Sequence, residues 1–208
     1  MKVCEIFASI QGESSLIGIP MVFIRLTGCN LRCTYCDTKY AYTEGQEMSI
    51  KTIINTVKNF RLKFVEITGG EPLLQTEVYE LMDELVKNYN VLLETNGSLS
   101  IEKVNSKIKV IMDIKTPGSG MSDKNYLENL NFLKKSDEVK FVLTDRNDYD
   151  WAKDFIKKNN INVREILFSP AFGSLNPQDL ARWILEDALP VRMNLQIHKY
   201  IFGEIRGV

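Results

Sequence analysis

Apolar residues along this chain gather in short runs rich in Val, Ile and Phe, at 3–10, 21–26, 63–68, 91–95, 109–114, 138–144, 164–169 and 191–197. Runs of this length and composition read as strands. Between most of them the apolar positions move to helical spacing, over 50–60, 77–88, 125–134, 149–159 and 177–186. Ser49 stands where it can cap the first helix, and Asn176-Pro177 places a capping amide before a proline suited to the first helical position of the last. The alternation predicts an α/β fold of βα units on a largely parallel sheet. No repeat, low-complexity tract or long Gly/Ser/Pro linker breaks it, so a single domain over 1–208 is expected, with TPGSGMS at 116–122 as a loop at a strand end.

Composition narrows the classes. The 208 residues are 44% hydrophobic and 25% charged, ordinary for a globular protein. Lys plus Arg total 26 against 27 Asp plus Glu, a net charge of −1, so bulk charge gives no reason to expect a nucleic-acid partner. No apolar stretch approaches the roughly 18 residues of a membrane span. The opening MKVCEIFASIQGES lacks an apolar region followed by a small-residue cleavage site, and a cytoplasmic protein is expected.

The four cysteines are Cys4, Cys29, Cys33 and Cys36, three of them inside an eight-residue window. A disulfide framework spreads its cysteines; this spacing points to metal. The CxxxCxxC loop directly after a predicted strand can supply three of the four thiolates that an ordinary 4Fe–4S cluster takes from cysteine. One iron is then open, and an open iron means chemistry rather than simple electron carriage. Structural zinc would ask for four Cys or His ligands, and beyond the triplet the chain offers only Cys4, in a strand, and the lone His198. Burial without a ligand role fits poorly with a loop that also holds Asn30, Arg32, Thr34, Asp37 and Lys39.

With Tyr35 just before its last cysteine, this motif resembles the signature of the radical S-adenosylmethionine (SAM) superfamily. The resemblance implies a partial, incomplete TIM-like βα barrel whose active site lies at the carboxyl ends of the strands, with SAM chelated on the open iron. The residues agree on placement, because the triplet, Thr68-Gly69-Gly70-Glu71 and Glu94-Thr95-Asn96-Gly97 all follow predicted strands. Gly69-Gly70 allows close backbone approach and Pro72 stops the strand. By resemblance Gly70 and Glu71 meet the SAM amino group, and Asp37, Glu94 and Asn96 belong to the same pocket. Tyr35 either packs on adenine or tucks into the core. Asp113-Ile114-Lys115 and Ser169-Pro170-Ala171-Phe172 end later strands and are placed at ribose or adenine, with a buried Asp113–Lys115 ion pair as the structural alternative.

FASIQGES at 7–14, FIRLTGCNL at 23–31, Cys36-Asp37-Thr38, ITGGEP at 67–72, ETNG at 94–97, DIK at 113–115 and NLQIHK at 194–199 extend the resemblance over nearly the whole chain. Together they resemble the 7-carboxy-7-deazaguanine synthase family. That family implies a homodimeric lyase of queuosine and 7-deazapurine biosynthesis. It turns 6-carboxy-5,6,7,8-tetrahydropterin into 7-carboxy-7-deazaguanine and ammonia, recycling SAM and drawing on an electron donor such as flavodoxin. No side chain is expected to be catalytic in its own right, since cluster and SAM generate the radical. Arg25 is expected to grip the substrate carboxylate, the alternative being a strand arginine paired with Glu13 or another acid. Gln11 and Glu13, with the main chain of Ile10 and Gly12, suit the donor–acceptor edge of a pterin. Thr68 is placed between SAM and substrate, His198 is either a substrate contact or a hydrogen-bonded core residue, and Thr38 is assigned to magnesium. The segment 199–208 matches less clearly and is left without a role. Competing expectations are a glycyl-radical-enzyme activase, against which QGES and Cys-Asp-Thr speak, and a non-enzymatic iron–sulfur or zinc module.

Overall fold

The computed structural model describes residues 1–203 and 205–208. In chain order the elements are β1 (Lys2–Ile10), β2 (Pro20–Leu26), β3 (Gln46–Glu47), α1 (Ile50–Asn59), β4 (Phe64–Gly69), α2 (Val78–Leu85) and β5 (Asn90–Thr95). There follow β6 (Lys109–Asp113), β7 (Glu138–Leu143), α3 (Arg146–Lys158), β8 (Glu165–Pro170), α4 (Pro177–Glu186), β9 (Arg192–Met193) and α5 (Ile197–Phe202). Among the described residues all nine strands join one sheet in the order β3-β1-β2-β4-β5-β6-β7-β8-β9. Pairing is antiparallel at β3-β1-β2 and parallel from β2 onward. The first and last strands in that order do not pair, so the architecture is the expected incomplete βα barrel.

The two faces of the sheet do different work. On β4 Val65 and Ile67 are fully buried in the main core, with Ile53 and Val57 of α1 and Leu81, Met82 and Leu85 of α2. Each such side chain stabilises the fold by roughly 1.5–3 kcal/mol through burial. Alternation along a strand sends Glu66 and Thr68 to the other face, where both line a cavity. A second, smaller cluster of Met21, Phe23, Leu92 and Ile111 fills part of that inner face, with Phe7 stacked on Phe23 at 5.2 Å.

Ser49 caps α1 by accepting from the Thr52 N–H, and Asn176 caps α4 by accepting from the Gln178 N–H ahead of Pro177, as expected. Three expectations need correction. The helix over 125–134 is replaced by 3-10 turns, Ser122–Lys124 and Leu127–Asn131. Asn129 is fully buried and its side chain bonds the backbone of Gly97, Leu99 and Ile101, while Asn125 bonds both backbone groups of Lys115. Side chains so committed compete with helix formation. The strand over 191–197 shrinks to β9, because the chain turns at Gln196 to begin α5 and Ile197 N–H bonds the Gly12 carbonyl at 3.0 Å. The helix over 149–159 begins earlier, at Arg146, because Asp145 accepts from the Asp148 N–H.

Gly69 closes β4 at φ 146°, where a Cβ would lie 2.2 Å from the Leu26 carbonyl oxygen. We expect Gly69→Ala to destabilise the fold by about 2–4 kcal/mol, combining backbone strain with overpacking. Gly173→Ala, at φ +76° with no atom within 4 Å, serves as the strain-only control. Urea denaturation of both variants checks the difference.

Candidate active site

The carboxyl ends of the parallel strands surround a cavity of about 840 Å³. Cys29, Cys33 and Cys36 form one wall, all free and partly exposed. Backbone contacts fix their loop: Gly28 N–H bonds the Ala41 carbonyl at 2.8 Å, Glu71 N–H the Gly28 carbonyl at 2.7 Å, and Thr34 N–H the Ser119 carbonyl at 3.1 Å. Asn96 Nδ2 donates to Asn30 Oδ1 at 3.1 Å and reaches Cys29 Sγ at 3.8 Å. A Cβ on Gly70 would sit 2.0 Å from the Gly28 carbonyl oxygen and 2.8 Å from Cys29 Cβ, so only glycine lets the chain leaving β4 pass so near the cysteine loop. Burial pushes the Cys29 and Cys33 thiols up. Cys4 lies apart on β1, with Arg206 Nη2 3.4 Å from its sulfur.

Among the described residues no group of three His, Cys, Asp or Glu side chains converges on a single ion. Three sulfurs spread over one wall suit a larger inorganic body. Two buried polar atoms beside them, Tyr35 Oη and Asp113 Oδ1, have no hydrogen-bond partner among the described residues. Leaving such atoms unpaired costs about 1–3 kcal/mol each, and both belong to residues that line the cavity. The residues therefore fit a 4Fe–4S cluster with SAM beside it.

Most residues assigned to SAM by resemblance lie around this space. Asp113 and Lys115 form a buried ion pair at 2.7 Å, with the Lys115 ammonium 5.9 Å from the Tyr35 ring centre. Ser169 accepts from Asn194 Nδ2 at 3.1 Å, Pro170 and Ala171 line the cavity, and Phe172 lies 4.7 Å under the Lys199 ammonium. Two stand elsewhere. Glu71 is fully buried and its carboxylate is taken up by Leu73 N–H, Asn96 N–H and the Thr95 hydroxyl, so it braces the strand ends instead of facing the cavity. Ile114, 1% exposed, packs into the helix-side core.

The opposite wall carries Arg25. Its Nε donates to Glu5 Oε1 at 2.8 Å, and its guanidinium lies 5.8 Å from the Phe7 ring centre and 5.9 Å from that of Tyr40. The acid partner is thus Glu5 and not Glu13. Glu5 also accepts from Tyr40 Oη at 3.0 Å and Arg206 Nε at 3.1 Å, and although burial raises its carboxyl, the Arg25 bond leads the contacts that hold it below the usual range. Thr38 Oγ1 donates to Asp37 Oδ1 at 2.9 Å, and Lys199 holds Asp37 Oδ2 at 2.6 Å.

The cavity floor is acidic. Gln11 is 4% exposed; its Oε1 accepts from Glu13 N–H at 3.0 Å, and its Nε2 donates to Glu66. Lys140 bridges Glu13, at 3.0 Å, and Glu94. Burial pushes the Glu94 carboxyl up to about 7, even with Lys140 beside it, while Lys140 and Gln196 outweigh burial at Glu13 and keep it low. Thr68, Ile10 and Gly12 line the same space, and His198 lies so close over Gly12 that a Cβ there would fall 1.9 Å from its Nδ1. Burial lowers the His198 pKa.

Sequence reasoning missed Glu66, Lys140, Gln196 and the cavity-lining residues 205–208. A signal existed for two of them. FVEITG and EVKFVL each set a charged residue, Glu66 and Lys140, between apolar neighbours inside a strand, which is hard to explain unless the inner face is chemical.

The Radical SAM superfamily model matches residues 23–117, the stretch from β2 through Lys115 to the following loop. The chain is 43% identical, over all of both chains, to the 7-carboxy-7-deazaguanine synthase of Koribacter versatilis. It is 44% identical to that of Chlorobaculum tepidum, over 100% of this chain and 97% of the relative. Its fold matches the crystal structure of QueE from Escherichia coli with a TM-score of 0.77 at 22% identity, over 94% of this chain and 93% of that one. With relatives this similar over its full length, the chain belongs to the 7-carboxy-7-deazaguanine synthase family of the radical SAM superfamily.

Proposed function

We propose that the chain is a radical SAM lyase that converts 6-carboxy-5,6,7,8-tetrahydropterin to 7-carboxy-7-deazaguanine and ammonia. The observation carrying this reading is that one cavity joins the cysteine wall to Arg25 and to the acidic floor. Cys29, Cys33 and Cys36 would hold the 4Fe–4S cluster, and Tyr35, Gly70, Asn96, Lys115 and the 169–172 segment would surround SAM. When bound, cluster and SAM together supply a 5′-deoxyadenosyl radical, which is why the cavity needs no nucleophile to start the reaction.

The chain's own residues bind and orient. Arg25, anchored through Nε by Glu5, keeps its Nη groups for the substrate carboxylate, where a charge-assisted pair is strong and directional. Thr38 would give one oxygen to a magnesium ion at that carboxylate, in keeping with a hard cation that retains most of its water. Gln11, Glu13 and the main chain of Ile10 and Gly12 would take the pterin edge, with Thr68 between SAM and substrate and His198 closing over Gly12. Residues of α5 and 205–208 line the cavity too and help to keep water from the reacting atoms.

The same reading includes one domain over 1–208, a cytoplasmic location, an electron donor such as flavodoxin and a homodimer. Exposed apolar residues on and after α5, with Tyr200 at 94% and Ile205 at 66%, support self-association. No described helix is long and apolar enough to cross a membrane.

Anaerobically reconstituted protein given SAM, a strong reductant and the carboxypterin should release the deazaguanine acid and ammonia, followed by mass spectrometry; an intact cluster that cleaves SAM yet forms no ring-contracted product would overturn the assignment. Replacing Cys29, Cys33 or Cys36 by Ala should abolish the cluster, read by iron content and visible absorption, whereas Cys4→Ala should assemble it normally. Arg25→Ala should raise KM by about 10- to 100-fold, the worth of one charged hydrogen-bonded pair, with Glu5 still held by Tyr40 and Arg206. Thr38→Ala should weaken the response to a magnesium series and leave the cluster in place.

A further inference from the structure

One carboxyl in the cavity floor has no part in the chemistry above. Glu66 stands midway along β4 at 5% exposure, flanked by Val65 and Ile67 on the opposite face. Its Oε2 accepts from Gln11 Nε2, and its other oxygen has no hydrogen-bond partner among the described residues. Lys140, the buried ammonium of the floor, is bonded to Glu13 and Glu94 and makes no ion pair with Glu66. Burial and the neighbouring carboxylates of Glu94 and Glu13 push the Glu66 carboxyl well up.

Its effect on Gln11 is geometric. An amide turned by half a revolution exchanges its donor and acceptor ends. In the orientation described, Gln11 Oε1 meets the Glu13 N–H at 3.0 Å while Nε2 meets Glu66. The reverse orientation would set a carbonyl oxygen against the carboxyl and an NH2 against an N–H. Even with a proton on Glu66, only one end of the reversed amide would be satisfied. The locked amide turns the second lone pair of Gln11 Oε1 to a floor that also holds the Glu13 carboxylate, kept ionised by Lys140 and Gln196.

We propose that Glu66 is a specificity-determining positioning residue, which by fixing the Gln11 amide makes the floor select a ring bearing a 2-amino group over one bearing a 2-oxo group. The inference rests on the carboxypterin reading. A 2-amino-4-oxopyrimidine edge presents N–H donors to these acceptors, whereas a 2-oxo ring places another acceptor among them and leaves buried lone pairs opposed. Without Glu66 only the Glu13 N–H restrains the amide, so turning it costs one hydrogen bond where the parent loses two, its NH2 can then greet the oxo group, and the preference narrows.

The test compares kcat/KM for the carboxytetrahydropterin and its 2-oxo counterpart, the carboxytetrahydrolumazine. It uses the reconstituted parent, Glu66→Leu, Glu66→Ala, Gln11→Met and the Glu66→Leu/Gln11→Met double variant, each checked for cluster content and thermal unfolding. The two Glu66 variants differ in volume, so one that fails to fold leaves the other to report. The preference for the 2-amino ring should fall by about tenfold or more in each single variant, the worth of one unanswered buried polar group. Glu66→Leu should add nothing further once Gln11 is gone, because a residue acting through another shows full coupling in the cycle. A preference within twofold of the parent in the folded Glu66 variants, or a further loss in the double variant, overturns the inference. A parent that turns over neither ring overturns the substrate reading itself.

Discussion

A carboxylate shut away from water must have its lone pairs answered by donors, and the site is organised around one that is. Glu71 has no solvent exposure and accepts from Leu73 N–H at 3.0 Å, Thr95 Oγ1 at 3.0 Å and Asn96 N–H at 2.7 Å, while its own N–H bonds the Gly28 carbonyl. Three chain segments meet on it: the end of β4, the end of β5 and the start of the cysteine loop. Burial still raises its pKa, so the donors offset the cost of enclosure only in part. The arrangement also sets Asn96 so that its side chain reaches Asn30 and the Cys29 sulfur. Within the motif that resemblance places on a ligand, Gly70 lines the cavity, and the Glu71 carboxylate acts one step back, by holding the wall to which a ligand would bind.

The second constraint is the inner face of the sheet. Parallel sheets normally read as continuous apolar runs because both faces are covered. Here the helix-covered face obeys that rule, and the inner face carries Glu66, Glu94, Asp113 and Lys140 beside the small apolar cluster of Met21, Phe23, Leu92 and Ile111. Lys140 remains charged because Glu13 and Glu94 outweigh the effect of its burial. The Glu13 carboxylate, kept ionised beside this ammonium, and the Gln11 carbonyl oxygen offer the floor's acceptors to partners that bring hydrogen-bond donors, whereas the Arg25 wall is biased toward an anion.

Much of this was legible because period and spacing are local properties. The strand runs, the Ser49 and Asn176 caps and the cysteine triplet each sit within a few residues of what decides them. The misreadings share a different origin. Asn125 and Asn129 look compatible with a helix until their long-range backbone partners are known, and the turn at Gln196 depends on the Gly12 carbonyl far away in the chain. Resemblance places Glu71 and Ile114 at a ligand, and packing decides which way their side chains face. For Arg25, expected at the substrate carboxylate with Glu13 or another acid as the alternative partner, the choice of Glu5 follows from the antiparallel register that puts Glu5 opposite Arg25 on β1 and β2.

That register has a functional consequence. Because Glu5 and Arg25 are paired across the sheet, the guanidinium is fixed from behind by a group that belongs to the fold, and its remaining donors project from a rigid element. The same Glu5 also accepts from Arg206, which lies 3.8 Å over the Tyr40 ring and holds Glu44 at 2.7 Å. Residues 206–208 line the cavity, so the anion-facing wall and the end of the chain share one carboxylate. A cavity of about 840 Å³ is within the range of small-molecule sites, and its cation and its acids stand on separate parts of the wall. This polarity suits a compact molecule with a carboxylate at one end and a donor edge at the other. An extended protein segment would need an open groove, and here α5 and the segment after it stand among the lining residues.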